Sequence, residues 1–472
     1  MSFKNAVLNT EVLTRTDNGM KALESTLNHN VDLFFKIGAS RGKNINVLFE
    51  EAIQEDTDTA LRILQWARDV RGGAGERELF RKALLFIEKE YKSILLDTNI
   101  LSKIPEIGRF DDLLIFTDNE VKSIAFNIVK SALESGNGLA AKWLPRKGPL
   151  AAELRNFMGY SPKRYRKTLV ELTKVVETQM CAKEFDKINF SHVPSLAMAR
   201  YSKAFGKHAP NEFSAYKEAL AAGSDPKVKI NAGAVYPYDI IKTLKYGDNK
   251  LADEQWKALP NYIGDASILP LVDVSGSMCC PAGSNPNLQC IDVSVSLGLY
   301  CSDKNTGPFK DLWLTFSERS KFKTVTGTLS QKYRQMVGDR DWGMSTNLHS
   351  AFNEILRVAT ANSVNPEDMP QILLIMSDMQ FNQCMFNDDS AINMIRRKYE
   401  EAGYKVPNVV FWNLNSRDNV PVRFDENGVA LVSGFSPAIM QAILGANFDD
   451  MTPVGVMHKA IGIDRYNLTK NK

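Results

Sequence analysis

The chain has 472 residues, of which 44% are hydrophobic and 24% charged, and its formal net charge is +3. These are the values of an ordinary folded protein of two to four domains, and they exclude a disordered, collagen-like or disulfide-built chain. No apolar run is long enough to cross a bilayer, and the start, MSFKNAVLNTEVLTRTDNG, lacks the apolar stretch of a secretory signal, so a cytoplasmic protein without a membrane partner is expected.

Residues 1–220 read as helical. Apolar residues recur at helical spacing through 47–71 (Val47, Leu48, Ala52, Ile53, Leu61, Leu64, Ala67, Val70), and Gly72-Gly73 ends the pattern. It resumes at Leu79, Leu84, Leu85, Ile87 and Tyr91, and further helices are predicted over 119–135, 150–157, 162–183 and 194–205. Short helices joined by Gly- and Pro-bearing turns suggest a ring-like or solenoid array of paired helices, although no clean sequence period marks it. Residues 221–265, punctuated by Gly223-Ser224-Asp225-Pro226, Tyr236-Pro237-Tyr238 and Leu259-Pro260, read as an ordered connector.

From 266 to 472 strand and helix signals alternate, as a layered α/β fold requires. Strands are predicted at 268–273, 311–316, 321–326, 371–377, 408–414 and 429–433. Helices are predicted at 288–301, 328–337, 347–360, 389–402 and 436–445. The third strand alternates polar and apolar residues, which suits an antiparallel edge. The expected fold is therefore multidomain: an all-helical repeat over 1–220, then a doubly wound α/β domain over 266–472.

Chemistry concentrates in Ile268–Met278, ILPLVDVSGSM. Asp273, Ser275 and Ser277 follow an apolar strand at i, i+2 and i+4, and Gly276 permits the tight turn between them. One carboxylate with two hydroxyls suits a hard cation such as Mg²⁺, with Mn²⁺ or Ca²⁺ as substitutes, and leaves positions open for water or a partner's carboxylate. Two later stretches extend the pattern. Gly343–Leu348 leads into an amphipathic helix, and its Thr346 can bring a third hydroxyl. Gln371–Asp378 is a buried-strand pattern ending in an acid. Carboxyl ends of central parallel strands converge on one crevice, so Asp273 and Asp378 should be neighbours.

Enzymatic readings of the same residues fare worse, and no catalytic residue is assigned. A serine hydrolase needs G-x-S-x-G and a histidine base. The five histidines stand at 29, 192, 208, 349 and 458, and His349 falls about a turn into the helix after Thr346. Arg71-Gly72-Gly73-Ala74-Gly75-Glu76 lacks the lysine of a phosphate loop. The six cysteines show no zinc spacing and are expected to be small buried thiols.

Charge is unevenly spread. Residues 141–250 hold 20 Lys and Arg against 10 Asp and Glu, whereas both flanks are mildly acidic. Cations and aromatics interleave at Lys142, Trp143, Arg146 and Lys147, then Arg155, then Lys163, Arg164, Tyr165, Arg166 and Lys167. A second set comprises Arg200, Tyr201, Lys203, Phe205, Lys207 and His208. Cations neutralise phosphates and aromatic faces stack unpaired bases, so these residues are the candidate RNA surface.

Asp273, Ser275, Ser277, Thr346 and Asp378, in that order, resemble the metal-ion-dependent adhesion site of von Willebrand factor A domains. The resemblance implies direct coordination by Ser275, Ser277 and Thr346, with Asp273 and Asp378 acting through water. A helical half followed by such a domain resembles the Ro autoantigen family, whose helical ring is the TROVE module, and looks closest to a related prokaryotic and viral branch. The strings ARDVRGGAGER (67–77), GRFDDLL (108–114) and GVALVSGF (428–435) carry that likeness. It implies a non-enzymatic, RNA-binding protein of small or misfolded RNA. A protein-interaction scaffold, with a partner supplying Asp or Glu to the metal, is the other function expected of the same features.

Overall fold

The computed structural model describes residues 13–469 except 41–42, 174, 224, 234, 246–248, 283–284, 339–345, 382–390, 418 and 445–450. A short antiparallel hairpin, β1 (Leu13–Arg15) and β2 (Lys21–Leu23), opens the described chain. A helix-rich region then runs to Lys257, and an α/β region follows. Its strands are β3 (Ile268–Val272), a small hairpin of β4 (Pro281–Ala282) and β5 (Asn285–Gln289), then β6 (Leu312–Thr315), β7 (Phe322–Thr324), β8 (Ile372–Ser377), β9 (Asn408–Asn413) and β10 (Val429–Ser433).

The six long-range strands form one sheet in the order β10-β9-β8-β3-β6-β7. All neighbours are parallel except β7, which pairs antiparallel with β6 at the edge. Every residue of β3, β8, β9 and β10 is buried, as strands covered on both faces require. From β3 the chain moves outward to β6, whereas from β8 it moves the other way to β9. The gap between β3 and β8 is thus the point where the strand order reverses, and ligands of such sheets sit at its carboxyl end.

Local chemistry sets the helix boundaries. The predicted helix over 47–71 is two helices, Asn46–Glu55 and Thr57–Arg68, because the extended Asp56 caps the second through the amides of Asp58 and Thr59. The predicted helix over 162–183 divides into Pro162–Leu172 and Val176–Cys181, with Thr173 and Val175 extended between them. The connector contains two helices, Pro237–Lys245 and Asn249–Lys257. It is docked on the α/β region: Trp256 Nε1 donates to Asp303 at 2.8 Å, and Tyr300 Oη donates to the Pro260 carbonyl at 2.6 Å.

The two regions are not packed separately. One continuous hydrophobic core joins the helices up to Leu169 with the sheet, and a smaller second core gathers Val176, Phe190, Met198, Phe205, Phe213 and Leu251. The helix His29–Ile37, inside the segment read as helical repeat, lies on β10. Gly38 approaches it so closely that a Cβ would stand 2.4 Å from the Ser433 carbonyl oxygen. Ser433 Oγ donates to the Phe34 carbonyl at 2.9 Å, and Asn413 Nδ2 donates to that of Phe35 at 3.2 Å. The chain end returns the exchange, since Arg465 pairs with Asp69 and Tyr466 Oη donates to Asp69 at 3.1 Å.

The two strings singled out in the helical half meet. Asp112 of GRFDDLL is fully buried and accepts from Arg68 Nη2 at 2.7 Å, Arg81 Nε at 2.6 Å and the Arg109 amide at 3.0 Å. Gly73 is required beside them, because a Cβ there would fall 1.8 Å from the Trp66 carbonyl oxygen. Removing one partner of a buried ion pair strands the other's charge, at a cost of about 3–5 kcal/mol. Asp112→Ala is therefore expected to lower unfolding stability by about that amount in urea titration. A change under about 1 kcal/mol would show that the arginines find other partners.

Candidate metal centre

The turn after β3 and the end of β8 build one oxygen-rich cluster. Asp273 continues β3, its amide donating to the Met376 carbonyl of β8 at 3.2 Å. The strand register therefore sets Asp273 beside Ser377 and Asp378, and both carboxylates are fully buried. Asp273 accepts the Ser275 amide at 2.9 Å on one oxygen and the Ser377 hydroxyl on the other. Ser275 and Ser277 hydroxyls lie 3.0 Å apart, so two of the three expected hydroxyls converge. Thr346 is also fully buried, and its hydroxyl donates to the Gln380 carbonyl at 2.7 Å. The Gln380 amide in turn donates to Asp378 Oδ1 at 3.3 Å. Residues 343–345 of the preceding loop lie outside the described residues.

Among the described residues no three His, Cys, Asp or Glu side chains gather into a metal site. The cluster has two carboxylates and draws its remaining oxygens from hydroxyls. Its donor set is all oxygen, and each hydroxyl oxygen carries two lone pairs of the kind a hard cation takes. That set fits Mg²⁺, Mn²⁺ or Ca²⁺ and does not fit a soft metal.

Three residues of the cluster were not read from the sequence. Ser377 donates to Asp273. Arg417 Nη2 donates to Asp378 Oδ2 at 3.2 Å. Gln380 is the hub: its Oε1 accepts the Asp17 amide at 2.6 Å, its carbonyl accepts Asn18 Nδ2 at 2.7 Å, and its Nε2 donates to Asn419 at 2.8 Å. Thr16 Oγ1 also donates to the Phe381 carbonyl at 2.6 Å, so the β1–β2 hairpin is fastened to the loop that follows Asp378. Ser377 was visible as the neighbour of Asp378. Nothing local marked Arg417 or the side chain of Gln380, whose partners are tens or hundreds of residues away.

A polar cleft of about 820 Å³ opens beside the cluster, lined by Arg15, Lys36, Lys43, Gln380 and Arg417 among others. A larger, mostly apolar groove of about 1580 Å³ runs between β6, β7 and the helix Leu348–Ala361. It touches Asn347 but none of the cluster oxygens, so it is not the seat of this chemistry. His349 bonds Asn353 and Lys398, and burial followed by the Lys398 charge pushes its pKa down. The cysteines differ from the expected buried thiols, since Cys181 and Cys279 are exposed. Cys290 and Cys301 are buried, and Cys280 Sγ lies 3.6 Å from Cys290 Sγ.

The candidate RNA residues fall into two groups. Lys142, Arg146, Lys147, Arg155, Lys163, Arg164, Arg166 and Lys167 lie on or beside helices of the main core. Arg200, Lys203, Lys207 and His208 lie on the helix Ser195–His208, which packs into the second core. Phe205 is fully buried and cannot stack a base. Trp143 is half-buried and carries the Arg109 guanidinium 3.5 Å from its ring centre.

Burial, and after it the neighbouring Asp378 charge, push Asp273 up to about 6, against the lowering effect of the Ser377 bond. A carboxyl raised in the folded state favours folding below its unfolded value and loses that contribution as pH rises through about 6. In the presence of chelator, the wild type should gain stability from this group as pH falls from about 7.5 to 5, and Asp273→Asn should lack the gain. Parallel pH profiles of the urea midpoint would overturn this assignment.

Residues 267–463 match the family described as Domain of unknown function (DUF7788). The uncharacterized protein L728 of Acanthamoeba polyphaga mimivirus is 28% identical over 504 aligned positions, covering 94% of this chain and 86% of that protein. The crystal structure of the Deinococcus radiodurans RO (RSR) protein superimposes with a TM-score of 0.49 at 15% identity, over 93% of this chain and 100% of that one. A second family, described as Domain of unknown function (DUF2828), matches residues 16–103 and 122–269. These two blocks make up half of the sequence, and the chain belongs to the DUF2828 family.

Proposed function

We infer that this chain is a non-enzymatic RNA-binding protein whose α/β domain holds Mg²⁺ and uses it to dock a protein partner. The helix Pro162–Leu172 carries the RNA half of this reading. Tyr165 and Leu169 turn inward, which leaves Lys163, Arg164, Arg166 and Lys167 all exposed. Among these four, the only ion pair found within the described residues is the exposed one between Lys167 and Glu171, at 3.6 Å. Arg164 also lies 4.0 Å from the Tyr160 ring centre, which puts a flat cation beside an aromatic. Exposed cations that face solvent are free to meet phosphates. The ring-like array, the A-type identity of the α/β domain and the preference for small or misfolded RNA rest on the resemblance to the Ro autoantigen family.

The metal half rests on the oxygen cluster. Ser275, Ser277 and Thr346 would hold the ion directly, with Asp273 and Asp378 behind water. The bound ion would offer an open position to a carboxylate of the partner. No histidine or lysine among the described residues bonds into the cluster, which supports binding over hydrolysis. Asp273→Ala is expected to remove Mg²⁺ binding in calorimetric titration while the protein stays folded; unchanged affinity would defeat the assignment.

RNA affinity should fall steeply with salt, with a log–log slope of about −0.7 per phosphate contacted. Changing Lys163, Arg164, Arg166 and Lys167 to Glu should weaken binding about a hundredfold or more at physiological salt. Mg²⁺ binding should be untouched, because none of the four bonds into the cluster. The measurement is an anisotropy titration at several salt concentrations with a structured RNA bearing a single-stranded end. Equal affinity for wild type and variant, or a flat salt dependence, would replace the RNA reading with the scaffold.

A further inference from the structure

Arg417 is the one guanidinium bonded to the buried carboxylate pair among the described residues. It holds two acids of opposite setting. Nη2 donates to Asp378 Oδ2 and Nη1 to Asp17 Oδ2, each at 3.2 Å. Asp378 is 0% exposed, whereas Asp17 is 71% exposed on the β1–β2 hairpin. Arg417 itself is one-third exposed at the wall of the polar cleft, and its Nε is buried without a hydrogen-bond partner among the described residues. The guanidinium therefore stands between the cluster and solvent, with an acceptor on each side.

Charge decides what this arrangement does. Asp273 and Asp378 bring two negative charges when ionised. A divalent ion neutralises both without help. Arg417 neutralises one, and its positive charge repels any second cation at such short range, where water screens little. The two cations therefore claim the same carboxylate. The hairpin supplies the alternative: it is fixed to the loop after Asp378 through Thr16, Asp17 and Asn18, so Asp17 stays within reach of Arg417 when Asp378 is taken.

We propose that Arg417 is a tethered counter-cation of the cluster: it competes with a divalent ion for Asp378, keeps Asp17 as its partner when the ion takes that carboxylate, and so weakens the site's affinity for divalent ions. This rests on the reading of the cluster as a divalent-cation site. The hairpin is thereby part of the site, since it supplies the second partner of the guanidinium.

The test is a titration of the full chain with Mn²⁺, read from the paramagnetic resonance signal of the free ion. Thermal melting checks that each variant is folded. Arg417→Gln keeps a polar side chain without the charge and should bind Mn²⁺ about tenfold or more tightly than wild type. Arg417→Lys keeps the charge but cannot span both carboxylates with one ammonium, and should fall between the two. Equal or weaker binding by the Gln variant overturns the proposal. If wild-type binding is then saturable and abolished by Asp273→Ala, the divalent site itself stands. Absence of saturable binding in both wild type and the Gln variant overturns the site and the proposal together. Should the Gln variant fail to fold, the Lys variant decides, and an affinity no tighter than wild type overturns the proposal.

Discussion

Two carboxylates buried side by side are the constraint around which the α/β region is arranged. Adjacent parallel strands β3 and β8 end in register, and each end carries an acid with no access to water. Burying one charge is costly and burying two like charges together is more so, unless donors and cations surround them. The surroundings answer that need. Asp273 takes a backbone amide and the Ser377 hydroxyl, while Asp378 takes the Gln380 amide and the Arg417 guanidinium. The two acids stand where the strand order reverses, at the carboxyl-end crevice in which sheets of this kind bind ligands.

The same chemistry explains why the chain cannot be cut cleanly into helical and α/β parts. The β1–β2 hairpin is bonded to Gln380 and Phe381, and the helix His29–Ile37 covers β10. The chain end crosses the other way, with Arg465 and Tyr466 on Asp69 of the helix Thr57–Arg68. Segments near both ends of the described chain are thus exchanged between regions, and the hydrophobic core runs through the boundary. The cluster is tied in this way to the first helices of the described chain.

The basic helices follow a different rule. On Pro162–Leu172 two side chains, Tyr165 and Leu169, are buried, and Tyr165 Oη donates to the Pro145 carbonyl at 2.9 Å. A helix anchored by so narrow an apolar stripe leaves most of its circumference to solvent, and that circumference is cationic. The helix Ser195–His208 is anchored by Met198 and Phe205 in a separate core, with His208 stacked on Phe185 at 4.7 Å. The two sets of cations in one basic segment are in this way divided between two packing units.

The sequence by itself determined the period and type of the elements and the identity of the oxygen donors. Each of the six predicted strands forms, because alternating or continuous apolar runs between turns leave a buried strand few other choices. The pairing of Asp273 with Asp378 was legible too, since both close apolar runs that must lie at a sheet's carboxyl end. Helix boundaries were less so. Asp56 splits one predicted helix by capping, a choice made by a single side chain against a continuous apolar pattern. Only the tertiary structure decided the rest: Arg417 and Gln380 at the cluster, the hairpin fastened to it, Asp112 among its arginines, and the division of the basic residues between two cores. Each of these depends on residues brought together across long stretches of chain, and local pattern carries no trace of a partner that distant.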